Sequence, residues 1–195
     1  GQLLTVPMDE DGMICENLGP LVEKEKPKFM YVDSSFNNPT GTILSLERRK
    51  MLLELSYKYR VPIIEEDEGS ELYYDIDILP SIKSMDTGHN VIYMYSFSLT
   101  TMPGTGLSFV VADTNVVKKL SELVSMKIVS LDWVPQKLLL AYMRNGVFQE
   151  RLDGFRDVCR KKRDLVYSIL RGSTEDLGLK CDLPKGGVYL WVKLP

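Results

Sequence analysis

The chain has 195 residues, 44% hydrophobic and 26% charged, so it is long enough to bury a sizeable core and has an ordinary globular composition. A net charge of -3 gives no broad attraction to phosphate backbones or anionic lipid, which argues against nucleic acid as the chain's own ligand. No apolar run approaches the roughly 18 residues of a membrane span, and neither a membrane segment nor a signal sequence is expected. Cys15, Cys159 and Cys181 lie far apart without CxxC spacing or neighbouring histidines, as expected of buried reduced thiols in a cytoplasmic protein.

In chain order, residues 2–6 form a short apolar run ending at Pro7, read as a strand before the acidic turn at 9–12. Residues 14–25 read as a helix interrupted by Gly19 and Pro20, residues 24–28 as a charged connector and residues 29–32 as a second strand. The stretch DSSFNNPTG at 33–41 demands a turn, and an asparagine before proline is biased to extended or cis geometry. The Asn38 amide thus faces either solvent or a ligand at the strand end. Ser45 is the expected N-cap of a helix carrying Leu46, Leu52, Leu55 and Tyr59 on one face and stopped by Pro62.

Residues 61–64 read as the next strand, with Glu65, Glu66, Asp67, Glu68 and Glu71 at its carboxyl end. Such a run is either a solvated turn or a group that binds a divalent cation or a cationic ligand. Residues 74–85 read as irregular, and His89, the single histidine, sits in a turn at 86–90 with no local partner for catalysis.

The stretch 91–112, VIYMYSFSLTTMPGTGLSFVVA, organises the chain as strand, long polar turn and strand. Ser96, Ser98, Thr100 and Thr101 put hydroxyls and backbone amides at the carboxyl end of its first strand, where open α/β sheets place ligands. No lysine occurs from 84 to 117 and no arginine from 61 to 143, so the loop has no nucleophilic amine or guanidinium of its own.

Beyond it, Thr114 caps a helix with the apolar stripe Val117, Leu120, Leu123 or Val124, and Ile128. Trp133 and Pro135 open a helix at 136–144 that Asn145-Gly146 closes. A long helix at 147–171 is expected to turn Phe148, Leu152, Phe155, Cys159, Val166 and Ile169 inward, with Gly172 as its stop. Its basic run at 160–163 reads as a solvated face. Residues 179–182 and 188–192 read as two strands around a Pro-Lys-Gly-Gly turn. Strands alternating with helices imply an α/β fold, a mostly parallel sheet with helices on both faces.

FNNPTG at 36–41, RRKMLL at 48–53, IIEEDEGSELYY at 63–74, VIYMYSFSLTTMPG at 91–104 and PKGGVYLW at 184–191 occur in an order and spacing similar to the fold type I pyridoxal-phosphate enzymes. The chain resembles their class I/II aminotransferases, and most of all the aminotransferase-like domains of MocR-type GntR-family transcriptional regulators. The resemblance implies the PLP-dependent transferase fold, truncated. Residues 1–146 would be a partial large domain, and residues 147–195 a linking helix and the start of a small α+β C-terminal domain. It also implies that the strand at 107 runs antiparallel beside that at 91, followed by those at 61 and 29.

The departures bear on chemistry. In the family a lysine three residues after the first serine of this stretch forms the Schiff base with pyridoxal phosphate; Leu99 occupies that position. An arginine after the Pro-Gly pair grips the phosphate, and Gly106 stands there. The aspartate that pairs with the pyridinium nitrogen falls at Glu66, one methylene longer, and the nearby tyrosine would fall at Glu68 or Gly69. Asn38, Ser96 and Ser98 are kept.

The resemblance therefore implies a vestigial cofactor site at Asn38, Glu66, Ser96 and Ser98, no catalytic residue, no metal, and pyridoxal phosphate not bound. Without a lysine there is no amine for the Schiff base and no obvious general base. The expected function is a degenerate aminotransferase-like domain, the non-catalytic effector or dimerisation part of a GntR/MocR-type regulator. The alternative is a PLP-dependent aminotransferase, or a fragment of one, acting on amino acids. The expected partners are a second copy of the chain and a small-molecule effector.

Overall fold

The computed structural model describes residues 1–101, 104, 106–127 and 133–195, with the backbone alone at 173–176. Residues 2–6 do not form the expected strand. The ladder forms across the acidic turn instead, where β1 (Met8–Asp9) pairs antiparallel with β2 (Gly12–Met13). Gly12 has φ +89°, and a Cβ there would meet the Leu44 backbone at 3.1 Å, so the turn requires glycine.

Helix α1 (Leu18–Glu25) contains Gly19 and Pro20 in its first turn and is not interrupted by them, because a proline there gives up no hydrogen bond that the helix needs. After β3 (Met30–Asp33), Ser45 caps α2 (Leu46–Tyr59) by accepting the Arg48 N–H at 3.4 Å. Arg60 in the left-handed region ends α2 just before Pro62.

The central sheet has the order β3, β4 (Ile63–Asp67), β5 (Val91–Ser96), β6 (Ser108–Val111). Its first three strands are parallel, and β6 runs antiparallel to β5 with Ser96 opposite Ser108. The strand order that the resemblance implies is therefore realised. One face of the sheet carries Met30, Val32, Ile63 and Val91 into a core closed by Leu52 and Leu53 of α2 and by Ile82 of the short helix α3 (Ile82–Met85), a segment expected to be irregular. The opposite face presents Tyr31, Asp33, Ile64, Glu66, Met94 and Ser96, half-buried or exposed.

Helix α4 (Thr114–Lys127) and α5 (Trp133–Arg144) follow. The expected apolar stripe of α4 is not buried: Val117, Leu120, Leu123 and Val124 are all exposed, and Ile128 lies outside the described residues. Helix α6 (Val147–Leu177) passes straight through Gly172 and ends at Gly178, whose φ of +67° supplies the left-handed stop.

Its inward residues also differ from expectation. Phe148, Leu152 and Cys159 turn inward, but so do Arg156 and Arg163, whereas Phe155, Val166 and Ile169 are exposed. The basic run is thus only partly solvated. Cys15 is buried, its thiol pushed up to about 12 by desolvation, while Cys159 and Cys181 are only half-buried.

The last pair, β7 (Lys180–Cys181) and β8 (Val192–Lys193), is shorter than expected. Gly186 instead bridges to Tyr73, and a Cβ on Gly187 (φ +75°) would fall 2.7 Å from that of Phe36, so this stretch packs on the large sheet's loops. Among the described residues, no helix is long and apolar enough to cross a membrane.

Candidate functional site

The parallel strands β3, β4 and β5 end together, and the residues singled out in sequence lie at those ends. Asn38 stands exposed in the loop after β3, inside a chain reversal in which the Gly41 N–H donates to Asn37 O at 2.7 Å and the Asn37 N–H to Thr42 O at 2.9 Å. The Asn38–Pro39 bond is cis, and the Asn38 N–H donates to Asp33 Oδ2 at 2.7 Å. Glu66 is in register with Asp33 on the same face of the sheet. Ser96 closes β5 and donates its hydroxyl to Ser98 at 2.8 Å, and Leu99 follows, half-buried, on the turn. Pro103, of the Pro-Gly pair, lies outside the described residues, whereas Gly106 has φ +58°.

The acidic run is not a solvated turn, because most of it is strand β4 with period-two burial. Glu65 is fully buried and accepts from Ser34 Oγ and from the Ile82 and Lys83 N–H groups, each at 2.8 Å, so it anchors the start of α3. Asp67 is buried and accepts from Tyr93 and from the Ser70 N–H. Glu66 points to the opposite face, where the Tyr31 hydroxyl donates to it. Among the described residues, no group of three or more His, Cys, Asp or Glu is arranged to hold a metal ion.

The local field is negative. Burial pushes the Asp33 carboxyl up to about 6 against the pull of the Asn38 N–H, with the Asp67 and Glu68 charges adding to the rise. Burial also raises Glu66, helped by Glu68. Among the described residues of this loop, the half-buried Ser96 and the exposed Ser98 offer hydroxyls beside this field.

Four participants escaped the sequence reading. Tyr31 and Asp33 lie on a strand of four residues, too short to show a period. Tyr95 donates to Glu71, and Arg156 of α6 donates to Glu71 O at 2.5 Å across 85 positions of sequence. Only the helical stripe Phe148, Leu152, Arg156, Cys159, Arg163 could have signalled Arg156.

Among the described residues a groove and a cavity also stand out, the second against the turn that follows β5. A groove of about 740 Å³ runs between the β1–β2 hairpin, residues 40–46 and residues 182–193. A small apolar cavity of about 30 Å³ sits between Thr100, Leu107, Leu139 and Phe148.

Residues 7–195 match the family described as aminotransferase class I and II. The chain is 32% identical to the 2-aminoadipate transaminase of Thermus thermophilus over its whole length and 49% of that protein. It is 29% identical to the HTH-type transcriptional regulator YdfD of Bacillus subtilis, over 99% of the chain and 40% of the regulator. Among solved structures it matches the α-aminoadipate aminotransferase LysN of Thermus thermophilus, complexed there with a phosphopyridoxyl-leucine, with a TM-score of 0.92 and 31% identity over 100% of this chain and 50% of that one. The chain spans about half the length of the relatives it matches or less.

Proposed function

The chain belongs to the class I and II aminotransferase family, and from that premise we propose that it is a degenerate member, the non-catalytic effector or dimerisation part of a GntR/MocR-type transcriptional regulator. The observation that carries this reading is Leu99, an aliphatic side chain on the turn after β5 at the position of the family's Schiff-base lysine.

The donor set around it does not fit pyridoxal phosphate. Ser96 and Ser98 are hydrogen-bonded to each other, the arginine position is a glycine in left-handed conformation, and two carboxyls whose pKa values are already raised, Asp33 and Glu66, share the sheet face with Ser96. Neutral donors contribute roughly 0.5–1.5 kcal/mol each and charged ones about twice that, so a dianion is poorly held. Asn38, Glu66, Ser96 and Ser98 are accordingly proposed as a vestigial cofactor site that now takes a small-molecule effector.

The division at residue 146, with α6 opening a second unit, belongs to the same proposal, as does a cytoplasmic homodimer. Among the described residues β3 and β6 each pair on one side only, and Phe109, Val110 and Val111 of β6 are exposed, an edge that soluble proteins usually cover. The identity with a transaminase favours a second reading, a PLP-dependent aminotransferase, which requires an amine from outside the turn. Incubation with pyridoxal phosphate, dialysis of the free cofactor and then borohydride reduction separates the two: the first reading expects no stoichiometric adduct to be retained, the second expects one on a single lysine.

A further inference from the structure

We infer that Tyr95 ties the candidate site to helix α6, so that the arrangement of the turn at 96–101 and the position of α6 are set together; this rests on the reading of that turn as an effector site. The turn is built on one carbonyl: Phe97 O accepts the Thr100 N–H at 3.2 Å, the Thr101 N–H at 3.0 Å and the Thr101 hydroxyl at 2.7 Å. Beneath it, Tyr95 has a single hydroxyl proton. It goes to the Glu71 carboxylate, which leaves the phenolic oxygen to accept from Thr100 Oγ1 at 3.4 Å.

Glu71 is also the point that α6 holds. Arg156 donates Nε to Glu71 O at 2.5 Å, is fixed by Asp153 at 2.6 Å and lies 4.2 Å from the centre of the Tyr73 ring. Seven residues on, Arg163 donates to Asp75 and to Pro184 O, both at 2.7 Å. Residues 71–75 are therefore gripped from α6 on one side and from Tyr95 on the other.

A second link is steric. The Phe97 ring meets Phe148, at the start of α6, edge-on at 6.3 Å, and meets Tyr95 edge-on at 4.8 Å. Tyr95, Phe97 and Thr100 are all buried, so these groups have no water to replace a partner that moves away. Among the described residues, α4 and α5 bury no side chain, whereas α6 buries Leu152 and holds residues 71–75. A ligand that displaces Thr100 thus frees or pulls the Tyr95 hydroxyl, and with it Glu71 and the seat of Arg156. The coupling is reciprocal by necessity: moving α6 alters what the turn binds.

The test is backbone hydrogen exchange on the whole chain, comparing the parent with Tyr95→Phe, which keeps the ring and its stacking. Exchange at Thr100, at Thr101 and in the first turns of α6 should quicken together, roughly fivefold, while the β3–β4 ladder stays unchanged. Arg156→Gln, made at the other end, should quicken Thr100 and Thr101 as well, and the double variant should exceed neither single one by more than about twofold. Effects confined to the mutated end, or factors that multiply in the double variant, would overturn the link. Should Tyr95→Phe fail to fold, Thr100→Val removes only the hydroxyl on the turn side and carries the same expectation. The result is independent of cofactor chemistry: a reducible adduct with pyridoxal phosphate would defeat the non-catalytic reading and leave this coupling standing.

Discussion

Tyr31 of β3 donates its hydroxyl to the carboxylate of Glu66 on β4, on the sheet face that also carries Asp33 and Ser96. Glu66, which we propose stands where the family has its pyridinium-pairing aspartate, thus has a partner from its own chain. Tyr31→Phe should cost about 0.5–1 kcal/mol in urea unfolding, less than the roughly 1.5–3 of a bond to a charged group out of solvent because Tyr31 is half exposed. With Glu66→Gln as the second arm of a double-mutant cycle, non-zero coupling supports the pair, and strict additivity would show the contact to be idle.

Glu65 and Glu68 belong to one acidic run, three positions apart, with opposite consequences. Glu65 is fully buried with three hydrogen-bond donors, whereas Glu68 lies half-buried beyond the end of β4. Glu65→Ala strips the start of α3 and orphans the Ser34 hydroxyl, so about 3 kcal/mol should be lost. Glu68→Ala should stay within about 0.5 kcal/mol of the parent. Equal effects in chemical denaturation would mean that the acidic run behaves as a solvated turn after all.

The Asp33 carboxyl, raised by burial to about 6 from an ordinary 3.8, makes a pH-dependent contribution of defined sign. Between those values the folded state binds more protons than the unfolded one, so this group's contribution becomes more favourable as pH falls from about 6 to 4. Asp33→Asn keeps an acceptor for the Asn38 N–H and removes the buried charge. At pH 7 it should be more stable than the parent by roughly 1–2 kcal/mol after allowance for partial exposure, a gain that vanishes below about pH 4. A gain that grows on acidification would contradict the assignment.

Replacing Leu99 with lysine should not restore catalysis, and adding Gly106→Arg should not complete the repair. The amine would stand at the strand end, but Gly106 has φ +58°, a conformation that costs an arginine roughly 1–2 kcal/mol, and the carboxyls of Asp33 and Glu66 oppose an anionic ligand. Absorbance titration with pyridoxal phosphate should give weak, unsaturable binding for both variants, and amino-acid panels should give no half-transamination. Micromolar binding with turnover would mean that the site is only one or two substitutions from function.

Much of this was legible in the sequence because local chemistry dictated it. Ser45 caps its helix, Pro62 follows the end of α2, and the polar turn after residue 95 joins two paired strands. The sheet order came from the motifs, since four short strands do not reveal their own neighbours. What escaped depends on partners distant in sequence. Arg156 and Arg163 face inward because residues 71–75 and Pro184 offer them carbonyls, carboxylates and aromatic rings, so hydrophobicity misplaced the inner face of α6. Gly172 reads as a stop in sequence, but it is Gly178, with its left-handed φ, that ends the helix. The acidic run read as one cluster, although strand alternation sends Glu65 and Asp67 to one face and Glu66 to the other.

The most direct test of a non-catalytic domain is to incubate the purified chain with pyridoxal phosphate, dialyse away the free cofactor, record the aldimine absorbance, and only then reduce with borohydride and weigh the intact protein. A site without an amine at residue 99 predicts the unmodified mass, no retained aldimine absorbance and no activity toward amino acids. A stoichiometric phosphopyridoxyl adduct on a single lysine, accompanied by half-transamination, would contradict it.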